Sequence, residues 1–254
     1  MTRFAHAATL LAVIAVPVIG WFTQNWSGAT TLLVYWFETA AGCAFIAVRI
    51  LLHQRWSPRR GHFRYDAPSE DRRRTTRSTF LAGFVVTSTA FTLAHGIFLA
   101  VIITLLNRNT DDTIAEINWG DVRWGALCVL AFLALDFVID LKTLRGWPFA
   151  RLEQTAQRAL SRVVVVHLSL ILGMAGVAVT GASSSLFSVF VVLKSMAALS
   201  VVVPQWEPTR PPAWLSRVLN RIPNAHPGQR FEEFWASDRA NDQMRRERNE
   251  QPWP

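Results

Sequence analysis

The chain has 254 residues, 51% of them hydrophobic and only 17% charged, with a formal net charge of +8. The charges cluster between long apolar runs, a pattern that excludes a soluble domain, whose surface helices would each keep a polar face. Of the 26 basic residues only Lys142 and Lys194 are lysines; the loops of a membrane protein account for the excess, and no motif supports nucleic-acid binding.

The first apolar run, residues 5–21, follows Arg3 and has the outline of a secretory leader. No small-x-small cleavage site comes after it, and Trp21, Phe22 and Trp26 form an interfacial aromatic belt, so a retained span is expected. A short uncharged link leads to residues 30–52, apolar almost throughout but for Glu38. About 20 apolar residues cross a hydrocarbon core of about 30 Å, so this is a second span. An arginine-rich stretch, 53–78, precedes the span 79–106. The loop 107–122 then reverses sign with Asp111, Asp112, Glu116 and Asp121, and the span 123–141 carries Asp136 and Asp140.

The basic stretch 142–162 has Pro148 at a helix start and apolar residues at roughly helical spacing. It predicts a helix at the membrane surface running into the span 163–181, with 186–203 as the sixth. Positive charge alternates with neutral or acidic loops without exception. The expected fold is therefore all-α, a polytopic bundle of six transmembrane helices over residues 1–203 with both termini cytoplasmic, in a bacterial plasma membrane. Residues 204–254 form a Pro/Arg-rich cytoplasmic tail in which 213–222 reads as a short basic amphipathic helix for anionic lipid. Residues 229–250 begin amphipathic and end as charge only, which suits a solvated end or a partner-binding helix.

Ionisable residues inside the spans carry the functional question, because each lone charge in hydrocarbon costs about 2.5–3.5 kcal/mol on insertion scales. Counted at 1.5 Å per residue from the outer boundaries, Glu38 lies about 12 Å deep, Lys194 about 13 Å, His95 about 16 Å and Asp136 about 19 Å. These four define an intramembrane polar layer, with Lys194 expected to pair with Glu38 or Asp136 and His95 to bridge them. Asp140, Arg162 and His167 form an inner-face set, with Asp140 expected against His167. His6, His53, His62 and His226 read as solvated. Cys43 and Cys128 fall in spans and belong to no CxxC pair. No metal site is expected, since His95 and His167 differ in depth by about 15 Å or more. HExxH, P-loop and GxSxG motifs are absent, and the cofactor, if there is one, stays open.

The motifs YWFETAAGCAFIAVRI (35–50), LAHGIF (93–98), SRVVVVHLSLILG (161–173) and VFVVLKSMA (189–197) occur in this order. They resemble the YW-x-E, HG-containing, R-x-x-x-x-H and Lys-bearing helices of the domain-of-unknown-function 6498 family of bacterial and archaeal membrane proteins. The resemblance implies the same helical fold and marks Glu38, His95, Arg162, His167 and Lys194 as positions of interest. The family pattern has an Asp shortly after its Lys; here Ala197, Ala198 and Ser200 follow, so a carboxylate from another helix must serve. The resemblance implies no activity. The favoured function is a structural or partner-binding membrane subunit with a charge-paired polar layer. The alternatives are a proton-coupled or small-solute transporter using Glu38, His95, Asp136 and Lys194, and a metal- or cofactor-dependent membrane enzyme. The expected partners are anionic headgroups at the Arg-rich loops and a protein at the C-terminal tail.

Overall fold

A computed structural model of the protein describes residues 2–68, 79–109, 116–161, 164, 208, 210–222 and 228–254. Nearly all of the two apolar runs 163–181 and 186–203, with Arg162, His167 and Lys194, lies outside the described residues. The chain divides into two compact units, one of residues 1–57 and 81–203, the other of residues 58–80 and 204–254.

The first unit contains α1 (Thr2–Thr23), α2 (Gly28–Trp56), α4 (Phe80–Asn109, bar its first residue) and α5 (Trp119–Leu144), and residues 149–161 are helical as well. Among the described residues, Gly28–Trp56, Phe80–Thr104 and Trp119–Leu144 are long and apolar enough to cross a membrane. Their outward faces are apolar too: Val86, Leu93 and Ile97 on α4 and Leu127, Leu135 and Val138 on α5 are all half or more exposed. Water would penalise that surface and hydrocarbon would not. Each helix extends a few residues past the expected apolar run, because backbone hydrogen bonding continues where hydropathy has already fallen.

The helix starts are specified locally. The Ser27 hydroxyl accepts the Thr30 backbone N–H at 3.1 Å, and Asn118 accepts from Gly120 and Asp121 at 3.0 and 3.3 Å. These are the preferred N-cap residue types. The Asn118 backbone N–H also donates to Thr30 Oγ1 at 3.0 Å, and Ser27 Oγ to the Glu116 carbonyl, which sets the starts of α2 and α5 side by side. Between α1 and α2 the chain turns through Asn25 at φ +54°, a left-handed conformation that asparagine tolerates. The turn lays Trp26, 4% exposed, over Gly20 of α1 and Gly125 of α5. Val13, Trp26, Val34 and Val129 close the core of α1, α2 and α5. A second core of Leu32, Tyr35 and Leu99 joins α2 to α4, where Trp36 Nε1 donates to the Thr92 carbonyl at 3.0 Å.

The second unit pairs the segment after α2 with the C-terminal end. It holds α3 (Arg60–Phe63), α6 (Ala213–Leu219) and α7 (Phe231–Glu250), with α3 and α6 both packed on α7. The side chain of Asn249, fully buried, takes the Asp66 N–H on Oδ1 at 3.1 Å and gives Nδ2–H to the Asp66 carbonyl at 3.0 Å. Arg245 donates to the same carbonyl at 3.0 Å, and Arg248 reaches the Asp66 carboxylate at 3.0 Å. Beyond α7 the Arg60 N–H donates to Gln251, Trp253 donates to the Pro58 carbonyl, and the Trp253 ring stacks on Phe63 at 4.9 Å. Residues 229–250, read from sequence as a solvated end or a partner-binding helix, thus form a helix seated on a loop of their own chain. Between α6 and α7, the Glu232 backbone N–H and then the Asn220 amide hold the Glu232 carboxyl below its ordinary range.

Three histidines expected to be solvated are not. His53 is fully buried with Nε2 at 2.9 Å from the Trp147 carbonyl, His62 is fully buried against the Arg59 backbone, and His6 is half-buried against carboxylates. Each lies near a helix end, where hydropathy counts water but backbone packing supplies other partners. His226 lies outside the described residues.

Candidate functional site

Asp136 and Asp140 stand four residues apart on α5, so both carboxylates leave the same face of the helix. Arg49 of α2 meets them together. Its Nη2 donates to Asp136 Oδ2 and its Nε to Asp140 Oδ2, each at 2.8 Å. The guanidinium is a planar fork, and here one fork spans two carboxylates. Its carbon also sits 5.3 Å from the centre of the Phe137 ring, which covers the third side.

The other oxygens face α1. His6 Nδ1 lies 2.8 Å from Asp136 Oδ1, and His6 Nε2 lies 3.2 Å from Asp140 Oδ1. The Thr9 hydroxyl, one turn on, donates to Asp136 Oδ1 at 3.0 Å. Three helices therefore converge on two carboxylates. The Arg49 and Asp140 side chains are 6% and 7% exposed, whereas His6 and Asp136 are 27% and 28% exposed, so the cluster has a closed side and an open one. Asp140 Oδ1 is buried and makes no hydrogen bond. Counted along the helices, Arg49 lies about 10 Å before the end of α2 and Asp140 about 6 Å before the end of α5. An ion pair this far inside is a strong constraint, because removing one partner leaves the other charge buried alone.

The sequence-derived residues divide. Asp136 and Asp140 come together, but with Arg49 and His6. Asp136 was expected in one layer with Glu38, at about 19 Å against about 12 Å; it meets Arg49, which lies about 16 Å further along α2 than Glu38. The reason is that Arg49, expected to close the second span, is two turns inside α2, which runs on to Trp56. Glu38 is half-buried, one turn after the buried Tyr35. His95 is 2% exposed on α4, and its neighbour Gly96 packs against the ring of Trp36. The expected partnerships with Lys194 and His167 fall on residues outside the described ones.

Sequence reasoning passed over His6, Thr9 and Arg49. For Arg49 a signal existed, since it sits inside the motif 35–50 and two acidic residues on another span need a cation. For His6 there was little, because α1 begins at Thr2 and not at residue 5. His6, Asp136 and Asp140 each offer a ligand atom, all within 4.8 Å of one another, so among the described residues they could hold a metal ion.

No curated protein and no solved structure matches the chain. A family match does exist, described as a family of unknown function (DUF6498), and it covers residues 1–213 and so takes in α1, α2, α4, α5 and every residue of the cluster. The helices and the charge cluster described above are thus those of a member of the domain-of-unknown-function 6498 family, to which this chain belongs.

Proposed function

We propose that the protein is a six-span bacterial plasma-membrane protein with both termini in the cytoplasm, acting as a structural or partner-binding subunit. The observation that carries this reading is the folded unit made from the loop after α2 and the C-terminal tail. Residues 58–66 and 245–253 hold one another through backbone hydrogen bonds and a stacked ring pair, so they share one side of the membrane. Two crossings, α4 and α5, lie between them, and an even number must remain in residues 162–203; the runs 163–181 and 186–203 supply two. The arginines of this unit support the cytoplasm as that side.

The same unit offers a surface to partners. Trp214, Val218 and Ile222 recur at four-residue spacing around α6, all half or more exposed, with Arg217 and Arg221 beside them. An apolar stripe edged by arginine suits anionic headgroups, and the remaining face of the tail suits a protein. Asp136, which a proton or solute pathway through Glu38, His95 and Lys194 would need, is engaged by Arg49, His6 and Thr9, and this favours the subunit reading over the transport one.

The test combines two measurements on the full-length chain. Photo-crosslinking in cells from position 214 or 244, both exposed, is expected to give a discrete adduct of one mass with a second protein. Reconstituted liposomes are expected to leak protons no faster than protein-free ones. Flux that Glu38→Gln abolishes, with no adduct, would replace this reading with transport.

A further inference from the structure

We propose that His6 and Asp140 are the ligands of a divalent transition-metal site at the junction of α1, α2 and α5, with Asp136 and Arg49 holding them in place. The inference goes beyond the subunit reading and does not depend on it. A carboxylate oxygen only accepts, so the 2.8 Å contact between His6 Nδ1 and Asp136 Oδ1 puts the ring hydrogen on Nδ1. The lone pair of a neutral ring is then on Nε2, 3.2 Å from Asp140 Oδ1. That oxygen is buried and makes no hydrogen bond. Two acceptor atoms side by side in a buried setting repel unless a cation joins them.

Arg49 contributes one positive charge and the two aspartates two negative ones, so one further positive charge, a proton on the His6 ring or a metal ion, balances the cluster. Distance then separates a proton from a metal ion. A charge-assisted N–H···O bond closes to about 2.7–2.9 Å and is near linear, whereas this contact is longer and has no hydrogen-bond geometry. Two atoms each about 2.1 Å from one ion, at an angle of about 100°, lie about 3.2 Å apart, and 2.0–2.2 Å is the bond length of zinc to imidazole and carboxylate. One nitrogen and one oxygen ligand select a first-row ion of borderline softness such as Zn²⁺ or Co²⁺. Metal-bound histidines give their other N–H to a carboxylate, which fixes the ring; Asp136 occupies that position. Arg49 on both Oδ2 atoms aims the Oδ1 atoms inward, and the open side at His6 and Asp136 admits water for the remaining coordination positions.

The experiment uses the full-length protein in detergent, stripped with chelator and titrated with Co²⁺ alone. The expected result is saturable uptake of one Co²⁺ per chain with a visible absorption band. His6→Gln and Asp140→Asn should weaken uptake at least about 100-fold, and Asp136→Asn, which removes only the orienting carboxylate, about 10–100-fold. Should those variants not insert, the wild-type protein still decides: Zn²⁺ should protect His6 from acylation by diethyl pyrocarbonate, read by peptide mass. No saturable uptake by the folded wild type would overturn the site and leave a proton as the balancing charge. Uptake unchanged in His6→Gln, or His6 acylated equally with and without Zn²⁺, would overturn it as well.

Discussion

At the scale of single residues, Arg49 decides whether the cluster holds. Replacing it by methionine keeps the length of the side chain but leaves the two carboxylates of Asp136 and Asp140 without their shared cation. Breaking a buried pair in this way costs about 3–5 kcal/mol. Lysine restores the charge as a point and not a fork, so it serves one carboxylate at a time. We expect Arg49→Met to unfold at clearly lower denaturing-detergent fraction than wild type, with Arg49→Lys in between. Arg49→Met combined with Asp136→Asn should lose less than the sum of the two single changes, because neighbours in one network couple. Equal stability of Arg49→Met and wild type would show that the cluster does not hold the helices. Asp136 and Asp140 were legible in the sequence as intramembrane charges requiring partners. Their actual partner was not, because hydropathy ended the second span at residue 52 and made Arg49 a boundary residue. Four more helical residues turn the same arginine into an interior one.

At the scale of elements, the first four apolar runs and the helix after Pro148 could be read from composition and spacing, and residues 149–161 are helical. What could not be read is how closely the helices approach. Gly42 sits among the small residues Ala40, Ala41 and Ala44 of α2, yet an added Cβ there meets nothing within 4 Å. At Gly125 it would lie 2.7 Å from the Trp26 ring and 2.9 Å from Val34. The tight glycines are thus Gly20 on α1 and Gly125 on α5, both against Trp26, a residue whose aromatic character suggested the lipid interface. Gly125→Ala is expected to destabilise by about 1–3 kcal/mol, since a well-packed site must shift to admit a methyl group. Gly42→Ala serves as its near-neutral counterpart. A thermal shift in detergent that fails to separate the two would contradict the packing of α5 on α1 and α2.

At the scale of the whole molecule, the sequence offered a basic loop and a basic tail as separate cytoplasmic pieces. Their union was not legible, because pairing between segments about 180 residues apart leaves no periodicity or local motif in either. It rests on a few residues: Asn249 against the Asp66 backbone, Trp253 on Phe63, and the backbone bonds of residues 251–253 to 58–60. Deleting residues 251–254 removes the stacked pair and those backbone bonds, worth about 1 kcal/mol each. Trypsin cleavage after Arg59, Arg60 and Arg64 should then rise at least about tenfold, because proteolysis follows the population of the open form. Cleavage rates that do not change would mean that the last four residues contribute nothing to the unit.

That union also has a consequence in time. Residues 58–66 leave the ribosome soon after α2, and their partners at 245–253 follow about 180 residues later. At about 5–20 residues per second the loop waits about 10–40 s for them. During that interval an arginine-rich segment with no fold of its own is open to proteases and chaperones. The closing of the unit therefore reports that residues 245–253 have been made, and a chain that stops before them leaves residues 58–66 without these contacts.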